Sequence, residues 1–182
     1  MSGSTKASVE RLLGVVAPEV ILDAVETSRL LTELAIPHAL VGGLAVGLHG
    51  HPRATKDVDF LVGNQAFETT DPILSYREEL STIVRMGEVD LLAVPGRRPI
   101  LGTSLALPSG GEIPVVGVAA LILMKLDAGR AQDIADVHHL LDQHSKLIEE
   151  VGHFLSHHAP DLVDRFVGIL DERESKSHSI EQ

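Results

Sequence analysis

The sequence predicts a mixed α+β fold, a small mixed β-sheet flanked by helices and followed by a C-terminal helical cap. Two observations carry this. Short apolar runs punctuated by glycine and proline dominate as far as residue 116, and from Val118 onward the pattern turns to helical periodicity. The length of 182 residues suits a single domain, and a 44% apolar, 23% charged composition is that of a chain with a real core. The sheet-containing core is expected over about 18–116, the helical part over about 117–174, and a polar tail over 175–182 that frays.

Each element has a local cause. Pro18 to Ala35 reads as a helix, with proline in the first turn, Val20, Leu22, Ala24, Leu30, Leu31 and Leu34 available for a buried face, and Pro37 beyond its end. His38 to Val41 is a short buried strand, and Gly42-Gly43 turns it into a second helix, Leu44 to His49, closed by Gly50. Asp57 to Val62 begins with strand-like alternation. Thr82 to Met86 and Glu88 to Val94 read as two strands joined around Gly87. Ser104 to Leu107 and Glu112 to Val116 read as two more, linked by the hairpin-like Pro108-Ser109-Gly110-Gly111. Helices are expected at Val118 to Ala128, Arg130 to Gln143, Ser145 to His157 and Pro160 to Glu174.

Charge narrows the function. The net −11 argues against broad nucleic-acid coating and against an anionic membrane surface. Without cysteine there is no disulfide, thiolate metal site or cysteine nucleophile, and 3% aromatic content disfavours a base-stacking platform. The first eight residues, MSGSTKAS, precede no apolar run, and Val118 to Met124 is too short to span a bilayer, so a soluble, cytoplasmic protein is expected. The excess of acid is uneven. Residues 1–56 are neutral, residues 57–116 carry −5 and residues 117–182 carry −6. Arg53 and Lys56 therefore stand just where the acidic part begins, the best place for an anion.

The chemistry concentrates between Val41 and Asp59. A strand, a glycine turn and a helix start present backbone N–H groups without obstructing side chains, a cradle for a triphosphate at Gly42 and Gly43. Asp57 and Asp59 share one face of a strand, where their mutual repulsion is relieved by a divalent cation. Asp90 from a neighbouring strand is the candidate third carboxylate, with Glu88 in reserve, and oxygen-only ligands favour Mg²⁺ or Mn²⁺. Each feature has a plainer alternative: an ordinary strand-to-helix turn, a solvated strand face, a lysine (Lys125) snorkelling from an apolar helix. His49-x-His51, His138-His139 and His153-x-x-x-His157 suggest zinc, but no Glu lies within the last pair, and a solvated helix face is preferred. Arg97-Arg98 reads as a surface loop, with contact to a phosphate-bearing acceptor as the alternative.

Gly42-Gly43, His49-Gly50 and Arg53-x-Thr55-x-Asp57-x-Asp59, in that order, resemble the glycine motif and paired aspartates of the polymerase-beta-like nucleotidyltransferase superfamily. The likeness is greatest to small bacterial nucleotidyltransferases related to abortive-infection toxins. Lys125-Leu-Asp-Ala-Gly-Arg130-x-x-Asp133-x-x-Asp136 is similar to the helices that follow the sheet in those proteins, so the resemblance spans about residues 38–141 in three blocks. The chain departs from the Gly-Ser of many members in having Gly42-Gly43. The resemblance implies a nucleotidyltransferase fold and transfer of a nucleoside monophosphate from an NTP to an RNA end, a protein hydroxyl or a small molecule, with release of pyrophosphate. It implies Asp57, Asp59 and Asp90 as catalytic metal ligands, Gly42, Gly43, Arg53, Thr55 and Lys125 at the nucleotide, and Arg130, Asp133 and Asp136 either ordering the helix pair or lining the site. A toxin role with an antitoxin partner follows from the same likeness. The alternative is a nucleotide-binding or interaction module that keeps the fold without turnover.

Overall fold

A computed structural model describes residues 12–70, 73–80, 88–109 and 112–180. The architecture is mixed α+β and divides between Gly117 and Val118 into two compact units.

In the first unit, α1 (Pro18–Glu33) starts on a proline in its first turn, where the missing N–H costs nothing. It ends with Ala35 in the left-handed region at φ 54°, and the Ile36 N–H bonds back to Leu31 O at 2.8 Å before Pro37. Strand β1 (His38–Leu40) pairs antiparallel with β2 (Val58–Val62), which pairs parallel with β5 (Val89–Ala93), giving the order β1-β2-β5. Between β1 and β2 lies α2 (Gly42–Leu48), whose first residues are the glycines of the turn, two positions before the Leu44 start expected.

Alternation along the strands sets two faces. Val58, Phe60 and Val62 of β2 and Val89 and Leu91 of β5 are buried in one core cluster with Val20, Ile21, Ala24 and Leu31 of α1. Asp59 and Asp90 therefore lie on the opposite face. His38 brings a polar ring into the α1 side: fully buried, it places Nδ1 2.9 Å from Ile36 O and Nε2 2.8 Å from Ser28 Oγ. A carbonyl only accepts, so Nδ1 carries the proton and Nε2 receives the Ser28 hydroxyl. Burial pushes the imidazole below its usual pKa, against a smaller opposing effect of the Ile36 carbonyl.

Several elements differ from expectation. Strands β3 (Phe67–Thr70) and β4 (Ile73–Tyr76) pair antiparallel as a hairpin, where the sequence reading places no strands. Ala106 and Val115 do not pair with each other; each makes an isolated bridge to β1, at His38 and Leu40. Their segments serve as edge cover for β1, which satisfies its outward backbone groups. Thr82 to Gly87 and Gly110-Gly111 lie outside the described residues.

The second unit is helical: α3 (Val118–Ala128), α4 (Ala131–Gln143), α5 (Ile148–His158) and α6 (Val163–Ile180). Helix α6 passes Glu174, where the sequence reading ends it, because residues 175–180 contain neither Gly nor Pro and polarity alone does not stop a helix. Among the described residues no helix is long and apolar enough to cross a membrane.

Candidate active site

The site is built at the junction of β1, α2 and β2. Val41 is extended, and its N–H reaches Asp59 O at 2.9 Å, which holds the glycine turn beside β2. Gly42 then takes φ +64°, a left-handed conformation natural to glycine. Its missing side chain has a second use. A Cβ at position 42 would lie 2.7 Å from Asp59 Cγ and closer still to Oδ2, so the Asp59 carboxylate occupies the space that glycine leaves.

The next residue does the same for a different group. A Cβ at Gly43 would lie 2.9 Å from Thr55 Oγ1 and 3.4 Å from Arg53 Nη2, so the loop after α2 folds its hydroxyl and guanidinium back over the first turn of that helix. Thr55 Oγ1 also makes a long 3.5 Å contact with Asp57 O, and Arg53 Nη1 lies 3.3 Å from Ala54 O. At the far end of α2, His49 Nε2 lies 2.7 Å from Val116 O, so this histidine is tied to backbone. Asp57 and Lys56 are exposed, whereas Arg53 and Thr55 are half-buried.

The carboxylates follow from strand register. Asp59 pairs directly with Asp90 across the parallel β2/β5 ladder. Asp57 lies one residue before β2, with the same parity as Asp59, and Val58 N–H bonds Glu88 O at 2.8 Å. Two carboxylates facing each other on neighbouring strands repel unless a cation lies between them. The donor set is all oxygen and suits Mg²⁺ or Mn²⁺. Among the described residues, no group of three or more His, Cys, Asp or Glu side chains is gathered closely enough to hold a metal ion. Backbone register supplies Asp59 and Asp90 as a facing pair, with Asp57 beside them and not converged on them.

Lys125, expected at the nucleotide, lies in the second unit with its ammonium 2.9 Å from Asp133 Oδ1 and 2.8 Å from Asp136 Oδ2. Arg130 Nε adds a 2.6 Å bond to Asp133, and Gln132 Nε2 donates to Asp136 at 3.1 Å. Lys125, Asp133 and Asp136 are all buried, so this cluster locks α3 to α4 and its charges balance internally. Burial raises the Asp133 pKa, but the hydrogen bonds from Arg130 and Lys125 outweigh it and hold the carboxyl below its usual range.

Two residues go beyond the sequence reading. Arg98 is buried, not on a surface loop, and sits just after β5 where a turn closes on Pro95 O. Tyr76, the sole tyrosine, donates its hydroxyl to Leu91 O at 2.7 Å, next to Asp90. Burial and the negative charge of Asp90 both raise its phenol pKa. The signal was available in Phe67-Glu-Thr-Thr and Ile73-Leu-Ser-Tyr76, two β-prone runs separated by Asp71-Pro72.

No family model and no curated protein matches the chain. Among solved structures, an antigenic nucleotidyltransferase-like protein from Paracoccidioides brasiliensis is similar to it, at 17% identity over 84% of this chain and 94% of the other, with a TM-score of 0.46. Identity and score at that level do not carry function from one chain to the other.

Proposed function

We propose that the protein is a metal-dependent nucleotidyltransferase that moves a nucleoside monophosphate from an NTP to an acceptor hydroxyl. One observation supports this above the others: adjacent glycines seat opposite chemistries. The Asp59 carboxylate lies against Gly42, and the Arg53 guanidinium and Thr55 hydroxyl lie against Gly43. A metal-bridged polyphosphate needs both, carboxylates for the cation and donors for the phosphate oxygens.

Asp57, Asp59 and Asp90 would hold Mg²⁺ or Mn²⁺, which when bound neutralises charge on the phosphates. Arg53, Thr55 and the glycine turn orient the triphosphate. Asp90 takes the proton of the acceptor hydroxyl as its oxygen bonds to the α-phosphorus and the bond to pyrophosphate breaks. Lys125 is assigned to the α3/α4 ion cluster and not to phosphate binding. An RNA end, a protein hydroxyl or a small molecule as acceptor, an intracellular toxin role and an antitoxin partner belong to the same proposal.

The test is transfer of label from α-labelled NTPs in the presence of Mg²⁺. Wild type is expected to label an acceptor and release pyrophosphate, and Asp57→Asn with Asp59→Asn to abolish both; equal transfer by the double variant refutes the assignment. A second reading, nucleotide binding without turnover, is favoured by the lack of a converged carboxylate group among the described residues. Calorimetry showing NTP binding with no pyrophosphate release selects it.

A further inference from the structure

Strand β5 carries Asp90, yet among the described residues it has a strand neighbour on one side only, β2. The ladder begins with Val58 N–H on Glu88 O, and in parallel pairing the backbone groups of alternate residues then point the same way. Glu88, Asp90 and Leu92 therefore turn their backbone groups to β2, whereas Leu91 turns its carbonyl to the outer edge. That residue is only 2% exposed, so its carbonyl needs a donor from the protein. Tyr76 supplies it at 2.7 Å. The ring comes from the β3/β4 hairpin, held in tilted contact with Phe67 at 5.1 Å between ring centres.

We infer that Tyr76 is a positioning residue for cation binding: its hydroxyl pins the outer edge of β5 at Leu91 and so fixes Asp90 in register with Asp59. The inference rests on the nucleotidyltransferase reading, since it gives Asp90 a cation to hold. The register pair is the one part of the carboxylate set that the backbone places directly, and β5 is its less supported half. A strand with one laddered edge shifts more easily than a central one, and carboxylates serving one cation must be held to a fraction of an ångström. Tyr76 thus acts through the strand, without touching the cation.

The experiment measures Mn²⁺ binding to the full chain by calorimetry with each of the four non-hydrolysable NTP analogues. It compares wild type, Tyr76→Phe, Asp90→Asn and the double variant. Tyr76→Phe keeps the ring on Phe67 and removes only the hydroxyl. It is expected to weaken Mn²⁺ binding about ten-fold or more, as loss of a group that orients a ligand does. In the Asp90→Asn background the same change is expected to matter less than about two-fold, because the residue being positioned is no longer a ligand. Phe67→Leu loosens the same ring but keeps the hydroxyl, and it is expected to lower Tm while weakening Mn²⁺ binding clearly less than Tyr76→Phe does. Unchanged affinity in Tyr76→Phe, equal losses in both backgrounds, or an equal loss in Phe67→Leu overturns the inference and leaves the nucleotidyltransferase reading standing. Absence of Mn²⁺ binding by wild type with every analogue refutes that reading, and this inference with it.

Discussion

Replacing Gly42 by alanine is the sharpest probe of the turn, because two separate costs meet at one methyl group. At φ +64° a residue with a Cβ pays about 1–2 kcal/mol for the left-handed backbone. The methyl also falls 2.7 Å from Asp59 Cγ and 3.0 Å from Asp59 Cβ, so the aspartate must move, and overpacking of this kind costs about 1–3 kcal/mol. Gly42→Ala is therefore expected to lose about 2–5 kcal/mol, a large part of the stability of a domain this size. Gly43→Ala is the control. Position 43 has no positive φ, Thr55 with Oγ1 at 2.9 Å and Cβ at 3.1 Å has to give by only a few tenths of an ångström, and alanine gains helix propensity, so its net change should stay within about 1 kcal/mol. Urea unfolding of both variants decides between them. Adding Asp59→Ala to Gly42→Ala removes the carboxylate that the methyl strikes and should return the overlap part alone, as a coupling of about 1–3 kcal/mol. A Gly42→Ala protein as stable as wild type, or a cycle without coupling, refutes the claim that Gly42 makes room for Asp59.

Two further outcomes are expected. His38 is neutral in the fold and titrates below its ordinary 6.5, so on acidification the unfolded chain takes up the proton first. Stability is then fully present above about pH 6.5 and falls below it by up to about 1.4 kcal/mol per pH unit until the folded His38 itself titrates. Urea midpoints from pH 8 to 5 should show this slope in wild type and lose it in His38→Asn, and parallel profiles refute it. Lys125→Met removes the buried cation shared by Asp133 and Asp136, leaving Arg130 on the first and Gln132 on the second, and should cost about 3 kcal/mol in chemical denaturation. A Lys125→Met protein that unfolds like wild type yet loses NTP binding would return Lys125 to the phosphates.

The elements with strong local signals were legible in the sequence: α1 with its N-terminal proline, β1 into the glycine turn, β2, β5 and the four late helices. The β3/β4 pair was not, because its runs are only four residues each and the Asp-Pro sequence between them is not one of the glycine-containing dipeptides that signal a hairpin. The expected pairing of Ser104 to Leu107 with Glu112 to Val116 came from Pro108 to Gly111, which looks like a hairpin turn; the edge of β1 competes for both segments instead. In the site, parity placed Asp57 and Asp59 on one face, but only register could show that Asp59 faces Asp90. Lys125 illustrates the limit of motif reasoning. An apolar run ending in lysine looks the same whether the ammonium meets phosphate or carboxylate, and its partners lie eight and eleven positions further on, in another helix.

The glycine pair gains the most from being seen in three dimensions. Read as sequence, Gly42-Gly43 is one unobstructed cradle, and the absence of serine at position 43 removes a hydroxyl from the phosphate side. The structure gives the two residues separate duties, Gly42 clearing space for a carboxylate and Gly43 for Thr55 and Arg53. Because Thr55 Oγ1 lies 2.9 Å from where a Cβ at position 43 would be, a hydroxyl stands beside the turn after all, delivered by the loop. A serine at 43 would compete with it for the same space. Thr55, two residues before Asp57, and Arg53 thus fill the space that the missing side chain leaves at Gly43, and the loop supplies a hydroxyl and a guanidinium beside the first turn of α2.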